Sequence, residues 1–177
     1  MFKSIDGGML PKRSTKYSAG FDVFANETVQ VGAGETKLIG LGIMLEDEEI
    51  SKAIHGKYNI EQFKASFMLE LCLRSSLGVK GLILPNGHGV IDMDYRGEMK
   101  MIIHNPITEE HVTWWVDTIL SMVGIKQRFN NDNTANYTIK KGDKIGQLIL
   151  KRHEGVLMPE SYTENNERDG GFGSTGK

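Results

Sequence analysis

Two carboxylates two residues apart, Asp92 and Asp94, stand in a stretch whose residue types could carry out proton transfer. The stretch is GVIDMDYRGE, residues 89–98, and an aromatic residue, Tyr95, follows the second acid directly. In an extended segment the side chains of residues i and i+2 project from the same face, and a carboxylate on a shaped turn is a candidate general base. Aspartate is also a common turn residue, so on this stretch alone the description as an Asp-rich turn is favoured.

The flanks of this stretch predict how the two acids are held. GVI before them and MKMII after them have the apolar character of short strands. Between these flanks, DYRG has the pattern of a four-residue turn with glycine at its end. The sequence therefore predicts a β-hairpin with acid, acid and aromatic at its bend.

Three other stretches carry groups that could bind an anion. LRSSLG, residues 73–78, offers an arginine and two hydroxyls, which can form an anion site together with free turn amides. Gln147 is an amide within an apolar strand and needs a partner if buried. In the tail RDGGFGSTG, glycine amides could wrap a phosphate while Arg168 neutralises it and Phe172 stacks on a ring. The plainer alternatives are a polar β-turn, a satisfied polar residue and a flexible terminus.

The metal-binding residue types point away from a protein-ligated zinc. The five histidines are scattered without ligand spacing, and the single cysteine, Cys72, excludes an intrachain disulfide and is expected to be a small buried apolar residue. Asp22, Asp92 and Asp94 together with phosphate-binding groups instead predict Mg²⁺ bound largely through nucleotide phosphates and water.

Length, charge and hydropathy limit the possible functions. The chain has 177 residues, 39% of them hydrophobic and 25% charged, which is typical of one globular domain. Its net charge is −2 with no concentrated basic block, so we expect no binding to nucleic acid as a polymer. No secretory h-region and no 18-residue apolar run occur. These features predict a soluble intracellular protein that does not enter a membrane.

The elements that must position these residues are mainly short strands. Alternating apolar segments separated by glycine and asparagine turns predict a mainly β protein of the sandwich or jelly-roll type. Residues 46–66 are charged, with apolar residues at helical spacing and Asn59 as a possible N-cap, and predict one or two short helices. Residues 112–123 carry an apolar stripe at helical spacing, which predicts an amphipathic helix within a second insertion.

The order and spacing of five stretches resemble a known family. SAGFDVFA, LRSSLGVKG, GVIDMDYRG, GDKIGQLIL and GGFGSTG follow one another between residues 18 and 176, and together they are similar to the five motifs of the homotrimeric dUTPases. The resemblance implies an all-β, distorted jelly-roll (β-clip) barrel that forms a trimer with active sites between subunits. It also implies hydrolysis of dUTP to dUMP and pyrophosphate with Mg²⁺, which limits uracil in DNA and supplies dUMP for dTMP synthesis.

The resemblance also implies a domain organisation. Residues 1–160 would form a single β-barrel domain with insertions at about 46–66 and 106–136, and residues 161–177 would form a flexible, glycine-rich lid over a neighbouring subunit's site. The protein would be cytoplasmic, or located in the host cytoplasm if it is viral.

Residue roles follow from the resemblance, position by position. Asp92 matches the general base that deprotonates the attacking water, Tyr95 lies against the sugar and leaves no room for a 2′-hydroxyl, and Asp22 holds a water in the outer shell of the metal. Asp94 would stabilise the turn. The implied substrate-binding residues are Arg74, Ser75, Ser76 and Gln147 at the phosphates, Asn86, Val90, Ile91 and Lys100 around uracil, and Arg168, Phe172, Gly173 and Ser174 in the tail.

The chain departs from the usual family pattern in three places. Ser76 stands where the second motif usually has glycine. The serine side chain leaves less room for a phosphate to approach the backbone at this position. Arg168 is one residue closer to Phe172 than usual, so either the tail is tighter or another group contacts the phosphate. The two insertions are absent from compact members of the family.

Two alternative functions compete with this interpretation. dCTP deaminases, including bifunctional deaminase/dUTPases, share the fold and an Arg-Ser-Ser second motif, but they carry a glutamate in the strand after the hairpin and lack the GGFGSTG tail. Here that strand is MKMIIHN, without an acid. The second alternative is a dUTPase-like protein that binds a regulatory protein partner through the 108–124 helix, since an exposed apolar helix face can dock a partner. The plainer expectation is that this face packs on its own barrel.

Overall fold

The computed structural model describes residues 1–107, 122 and 136–154. These residues contain ten strands and three short helices. The strands are β1 (Phe2–Ser4), β2 (Phe21–Phe24), β3 (Val29–Val31), β4 (Thr36–Gly40), β5 (Ile43–Leu45), β6 (Phe67–Leu73), β7 (Gly89–Asp92), β8 (Lys100–His104), β9 (Tyr137–Ile139) and β10 (Lys144–Arg152), and the helices are α1 (Asp47–Ile54), α2 (Ile60–Ser66) and α3 (Ser75–Gly78). The mainly β class predicted from the sequence is confirmed.

The strands form antiparallel pairs in four sheets. The largest sheet has the order β2-β10-β6-β7, and three two-stranded sheets pair β1 with β5, β3 with β9 and β4 with β8. β10 is nine residues long and pairs with β2 on one side and β6 on the other. The order of the large sheet therefore places the motif around Gln147 between the motifs around Asp22 and Arg74.

Apolar side chains from facing strands form one core. Alternate residues of β4, β5 and β8 point inward, because successive side chains of a strand point to opposite faces. The fully buried members include Ile39, Ile43, Met101, Ile103 and Leu148, all at most 1% exposed. Among the described residues, no helix combines the length and apolar character needed to cross a lipid bilayer.

The predicted β-hairpin around Asp92 is wrong. β7 pairs with β6, whereas β8 pairs with β4, so the two flanking strands belong to different sheets. The turn also lies two residues earlier than predicted, because the amide of Tyr95 donates to the carbonyl of Asp92 at 3.1 Å. Met93 and Met99 are each 1% exposed. Their burial draws the connecting loop into the core, so the chain crosses between sheets instead of folding back on itself.

The first insertion forms the two short helices that the sequence predicts. α1 is terminated by the two residues that follow it, His55 and Gly56, which both adopt left-handed backbone angles (φ 48° and 69°). The side chain of Asn59 then accepts a hydrogen bond from the amide of Glu61 at 2.9 Å and caps α2, as predicted. The two helices pack inward through buried apolar residues such as Ile50 and Phe63. The predicted helix of the second insertion lies outside the described residues.

Candidate active site

Gln147 and Asp22 meet on the largest sheet. In the register of that sheet, Gln147 of β10 lies opposite Asp22 of β2 on one side and Cys72 of β6 on the other. The side-chain amide of Gln147 donates to Oδ1 of Asp22 at 3.2 Å. Gly20 leaves room for this contact, since a Cβ there would lie 3.1 Å from Oε1 of Gln147. The first and fourth motifs are thus joined by one hydrogen bond between side chains.

Asp22 is the buried centre of a charged cluster. Its side chain is 2% exposed, and Oδ2 accepts from Nζ of Lys144 and from the hydroxyl of Ser14, both at 2.8 Å. Nε of Arg74 lies 4.0 Å from Oδ1. Burial alone would raise the pKa of Asp22, but hydrogen bonds from Lys144, Ser14 and Gln147 outweigh it and lower the pKa to about 2. The carboxylate is therefore ionised at any physiological pH.

Arg74, Ser75 and Ser76 begin a single helical turn rather than the polar β-turn considered as the simpler alternative. The carbonyl of Arg74 accepts from the amides of Leu77 and Gly78 at 2.9 and 3.2 Å. Buried Leu77 anchors this turn, while both serine side chains are exposed and Arg74 is half-buried. The arginine side chain returns toward Asp22, so the first, second and fourth motifs converge at one end of β6.

The second predicted group surrounds the turn that follows β7. Asp92 is the exposed last residue of β7 and lies opposite Met68 at the start of β6. Tyr95 is half-buried, and its hydroxyl donates to the carbonyl of Glu98 at 3.1 Å. Of the residues expected around uracil, Asn86 and Val90 are exposed and Ile91 is half-buried, while Lys100 lies 3.6 Å from the carboxylate of Glu98.

The structure does not bring these two groups together within one chain. Asp92 pairs near the start of β6, at Met68, whereas Arg74 follows the end of the same strand. Six residue steps of extended chain between Met68 and Arg74 correspond to roughly 20 Å. Within one chain, the backbone positions of Asp92 and Arg74 therefore lie toward opposite ends of β6.

The chain is similar to proteins of known family over nearly its whole length. It is 34% identical over 174 residues to the deoxyuridine 5′-triphosphate nucleotidohydrolase of Rickettsia akari (strain Hartford), covering 96% of this chain and 89% of the relative. It is 33% identical over 174 residues to the enzyme of the same name from Rickettsia prowazekii (strain Madrid E), with the same coverage. The chain belongs to the dUTPase family.

Solved dUTPase structures share the fold. The dUTPase from phage phi11 of Staphylococcus aureus superposes with a TM-score of 0.61 at 20% identity, covering 93% of this chain and 96% of that chain. The Streptococcus mutans dUTPase gives 0.59 at 21% identity, covering 90% and 98%. A variant of the phi11 enzyme is described with a structural Mg(II) ion. These likenesses agree with the predicted jelly-roll type. No family model matches the chain.

Two members of the charged cluster were not predicted from the dUTPase motifs. Lys144 stands three residues before Gln147 within the motif GDKIGQLIL, so its charge inside the motif was a usable signal. Ser14 gave no signal, because it reaches Asp22 from a loop between β1 and β2. Cys72 is half-buried rather than fully buried, and burial raises the pKa of its thiol.

A small pocket lies near the second group. Its volume is ≈ 230 Å³, and its lining includes the predicted residue Lys100 and the unpredicted residues Asn26, Glu27, Leu38, Gly40 and Glu98. Glu98 is fixed there, because its Oε1 accepts from the amide of Gly42 at 3.0 Å. The tail residues Arg168, Phe172, Gly173 and Ser174 of the fifth motif lie outside the described residues.

The described residues offer no direct metal cage. Within 1–107, 122 and 136–154, no three His, Cys, Asp or Glu side chains are grouped closely enough to hold an ion. Oδ2 of Asp22 already accepts two hydrogen bonds, and Oδ1 accepts one from Gln147. Since each carboxylate oxygen can accept two bonds, Oδ1 can accept one more hydrogen bond. This donor set fits an ion held through water, as Mg²⁺ is often bound.

Proposed function

We propose that this protein hydrolyses dUTP to dUMP and pyrophosphate, with Asp92 as the base that deprotonates the attacking water. The observation that carries this proposal is the 34% identity to a deoxyuridine 5′-triphosphate nucleotidohydrolase across 96% of the chain. In the reaction, the water oxygen bonds to phosphorus and the anhydride between the α- and β-phosphates breaks. Asp92 takes the water proton, and pyrophosphate leaves.

The end of β6 near Arg74 is the proposed phosphate site. The exposed hydroxyls of Ser75 and Ser76 and the guanidinium of Arg74 supply donors, and Gln147 supplies an amide. Phosphoryl transfer needs charge neutralisation and alignment more than a covalent nucleophile. Asp22 holds this group in place, because its ionised carboxylate is bonded to Gln147 and lies beside Arg74.

The turn after β7 is the proposed site for water, sugar and uracil. Asp92 is exposed at the strand end, where a water can reach its carboxylate. The Tyr95 ring is fixed by its hydrogen bond to the carbonyl of Glu98, and a fixed ring against the sugar excludes a 2′-hydroxyl. Asn86 and the main chain at Val90, Ile91 and Lys100 are proposed to line a slot too narrow for the methyl group of thymine.

The proposed active site is shared between subunits of a homotrimer. The separation of roughly 20 Å along β6 between Asp92 and Arg74 supports this arrangement, because each chain then contributes only part of each site. We place the barrel at residues 1–160 and the lid at residues 161–177. Arg168, Phe172, Gly173 and Ser174 of the lid would close over the substrate and exclude water.

Mg²⁺ is the proposed cofactor, and the enzyme is proposed to act in the cytoplasm. Oδ1 of Asp22 can accept one hydrogen bond beyond that from Gln147, which suits a water of the ion's outer shell. When bound, the ion neutralises phosphate charge as it builds up during the reaction. Asp22, Arg74 and Gln147 would keep the phosphates in position beside it.

A nucleotide panel tests the activity. Purified protein with Mg²⁺ should release pyrophosphate from dUTP and very little from dTTP, dCTP or UTP. Release of ammonia from dCTP would instead identify a deaminase, and turnover of all four nucleotides alike would contradict the proposed uracil and sugar selectivity.

The role of Asp92 is tested with a pair of matched variants. Asp92→Asn should lower kcat at least about 100-fold, because it removes the base, while dUTP binding measured by calorimetry is kept. Asp94→Asn changes the neighbouring acid in the same way and should retain most of the turnover. Normal hydrolysis by Asp92→Asn would show that another group is the base.

A further inference from the structure

The inserted helices contact the loop that carries Asp92 through one arginine. Arg96 follows Tyr95, and its Nη2 forms an ion pair with Oδ1 of Asp47, the first residue of α1. The Arg96 side chain is 16% exposed and the Asp47 side chain 46% exposed, so water screens the pair from the side of the carboxylate only. Asp47 also suits its position, since a negative charge is favourable in the first turn of a helix.

The same guanidinium holds the backbone of the turn. Nη1 of Arg96 donates to the carbonyl of Met93 at 2.9 Å and to the carbonyl of Tyr95 at 3.1 Å. These two carbonyls flank Asp94, which stands two residues after Asp92. The planar fork of arginine can direct one nitrogen to a carboxylate and the other to carbonyl groups. Arg96 therefore connects α1 to the backbone that sets the direction of the Asp92 and Tyr95 side chains.

The second inserted helix fixes the other oxygen of the same acid. Nζ of Lys64, in α2, lies 2.6 Å from Oδ2 of Asp47, and the lysine side chain is 18% exposed. Asp47 is thus held between a lysine on α2 and an arginine on the turn. Both helices of the insertion therefore take part in holding the carboxylate that pairs with Arg96.

The far side of the loop is attached to the barrel. Oε1 of Glu98 accepts from the amide of Gly42 at 3.0 Å, and the amide of Met99 donates to the carbonyl of Ile43 at 2.9 Å. The loop is therefore held by the barrel after residue 97 and by the insertion through Arg96. Of these two attachments, the one to the insertion lies nearer to Asp92 along the sequence.

We propose that Asp47 is a positioning residue for the reaction, and that the inserted helices α1 and α2 set the geometry of the Asp92–Tyr95 turn through the Asp47–Arg96 ion pair. This inference rests on the proposed role of Asp92 as the base. The insertion then acts as a support for the active site instead of an appendage on the barrel.

A double-mutant cycle tests this coupling. Asp47→Asn and Arg96→Gln should each lower kcat for dUTP about tenfold, because small displacements of a catalytic group are costly. The double variant should also lose about tenfold, since both substitutions break the same link, whereas independent effects would multiply to about 100-fold. Effects that multiply, or a kcat of Asp47→Asn equal to that of the wild type, would overturn the proposal.

The matched control is the neighbouring residue. Glu46 forms an ion pair with Lys3 at 2.6 Å at the same end of α1, and within the described residues its side chain has no ion pair with the turn. Glu46→Gln should leave kcat within about twofold of wild type while removing another ion pair at the same end of α1. A loss of kcat in Glu46→Gln equal to that in Asp47→Asn would show a general effect of helix stability and contradict positioning.

A conservative variant keeps the test decisive if Asp47→Asn does not fold. Arg96→Lys retains the charge opposite Asp47 but cannot also hold both carbonyls, so it should fold and still lower kcat several-fold, with a thermal midpoint near that of wild type. Wild-type kcat in Arg96→Lys would refute the role of the carbonyl contacts. A wild-type protein without dUTP turnover would count against the proposed function itself, before any variant is compared.

Discussion

The side chain of Gln147 donates a hydrogen bond to Oδ1 of Asp22 at 3.2 Å across the β2–β10 pair. The two residues are far apart in sequence, and each is an unusual polar residue in an apolar strand. Their contact explains both, because the buried carboxylate needs donors and the amide needs an acceptor. It also fixes the distance between two motifs of the dUTPase family on one sheet.

The pH dependence of stability should report on Asp22. Its pKa is about 2 in the folded protein, below the ordinary value of 3.8, so the ionised form stabilises the fold above about pH 4 and this contribution is lost as the pH falls toward 2. The contribution amounts to about 2 kcal/mol. Urea titrations at equal protein concentration would give the unfolding free energies of wild type and Asp22→Asn. We expect wild type to be more stable than Asp22→Asn at pH 5, and we expect this difference to decrease by about the same amount between pH 5 and pH 2. A difference independent of pH would contradict the ion-pair explanation.

Mixing two inactive variants should restore activity if the active site is shared. Asp92→Asn removes the base and Arg74→Ala removes the phosphate contact, and these groups lie at opposite ends of β6 in one chain. After unfolding and refolding together in equal amounts, about a quarter of the sites should combine an intact base from one subunit with an intact arginine from another. Turnover should then reach about a quarter of the wild-type value.

The control for this experiment is the double variant that carries both substitutions in one chain, refolded with an equal amount of Asp92→Asn. Every site of that mixture lacks the base, so it should stay inactive. An inactive mixture of the two single variants, despite trimers of normal size by light scattering, would show that both groups act within one subunit.

Two glycine substitutions should have opposite effects on stability. A Cβ at Gly146 would lie 2.9 Å from the carbonyl oxygen of Cys72 and 3.0 Å from the sulfur of Met101, in the middle of the core. Gly146→Ala should therefore lower the unfolding free energy by roughly 1–3 kcal/mol. At Gly78 no atom lies within 4 Å of the added carbon, and Gly78→Ala should leave stability unchanged or raise it by about 0.5–1 kcal/mol. Equal losses in urea titrations would contradict the packing described for β10.

Local signals in the sequence were enough for a large part of the fold. The short strands, the two helices of the first insertion and the Asn59 cap depend on residues close to one another in the chain. The order of the five family motifs was also visible, because each is a short contiguous stretch. The sequence relatives confirm the family that this order indicated.

The elements that could not be predicted depend on distant partners. The predicted hairpin around Asp92 is wrong because the burial of Met93 and Met99 sets the path of the loop. The two strands that flank the loop then pair with other strands, β7 with β6 and β8 with β4. The Lys144–Asp22 pair joins residues 122 positions apart. The Asp47–Arg96 pair likewise links the first insertion to the third motif, and no local sequence pattern predicts such a contact.

The junction between the first insertion and the barrel also limits how the protein can evolve. α2 ends at Ser66 and β6 begins at Phe67, with no connecting residue, and the rings of Phe63 and Phe67 stack at 4.7 Å across this junction. Gain or loss of one residue in α2 would rotate the helix by about 100° relative to β6. Length changes should therefore accumulate in the exposed connection between the two helices, residues 55–59, rather than within α2.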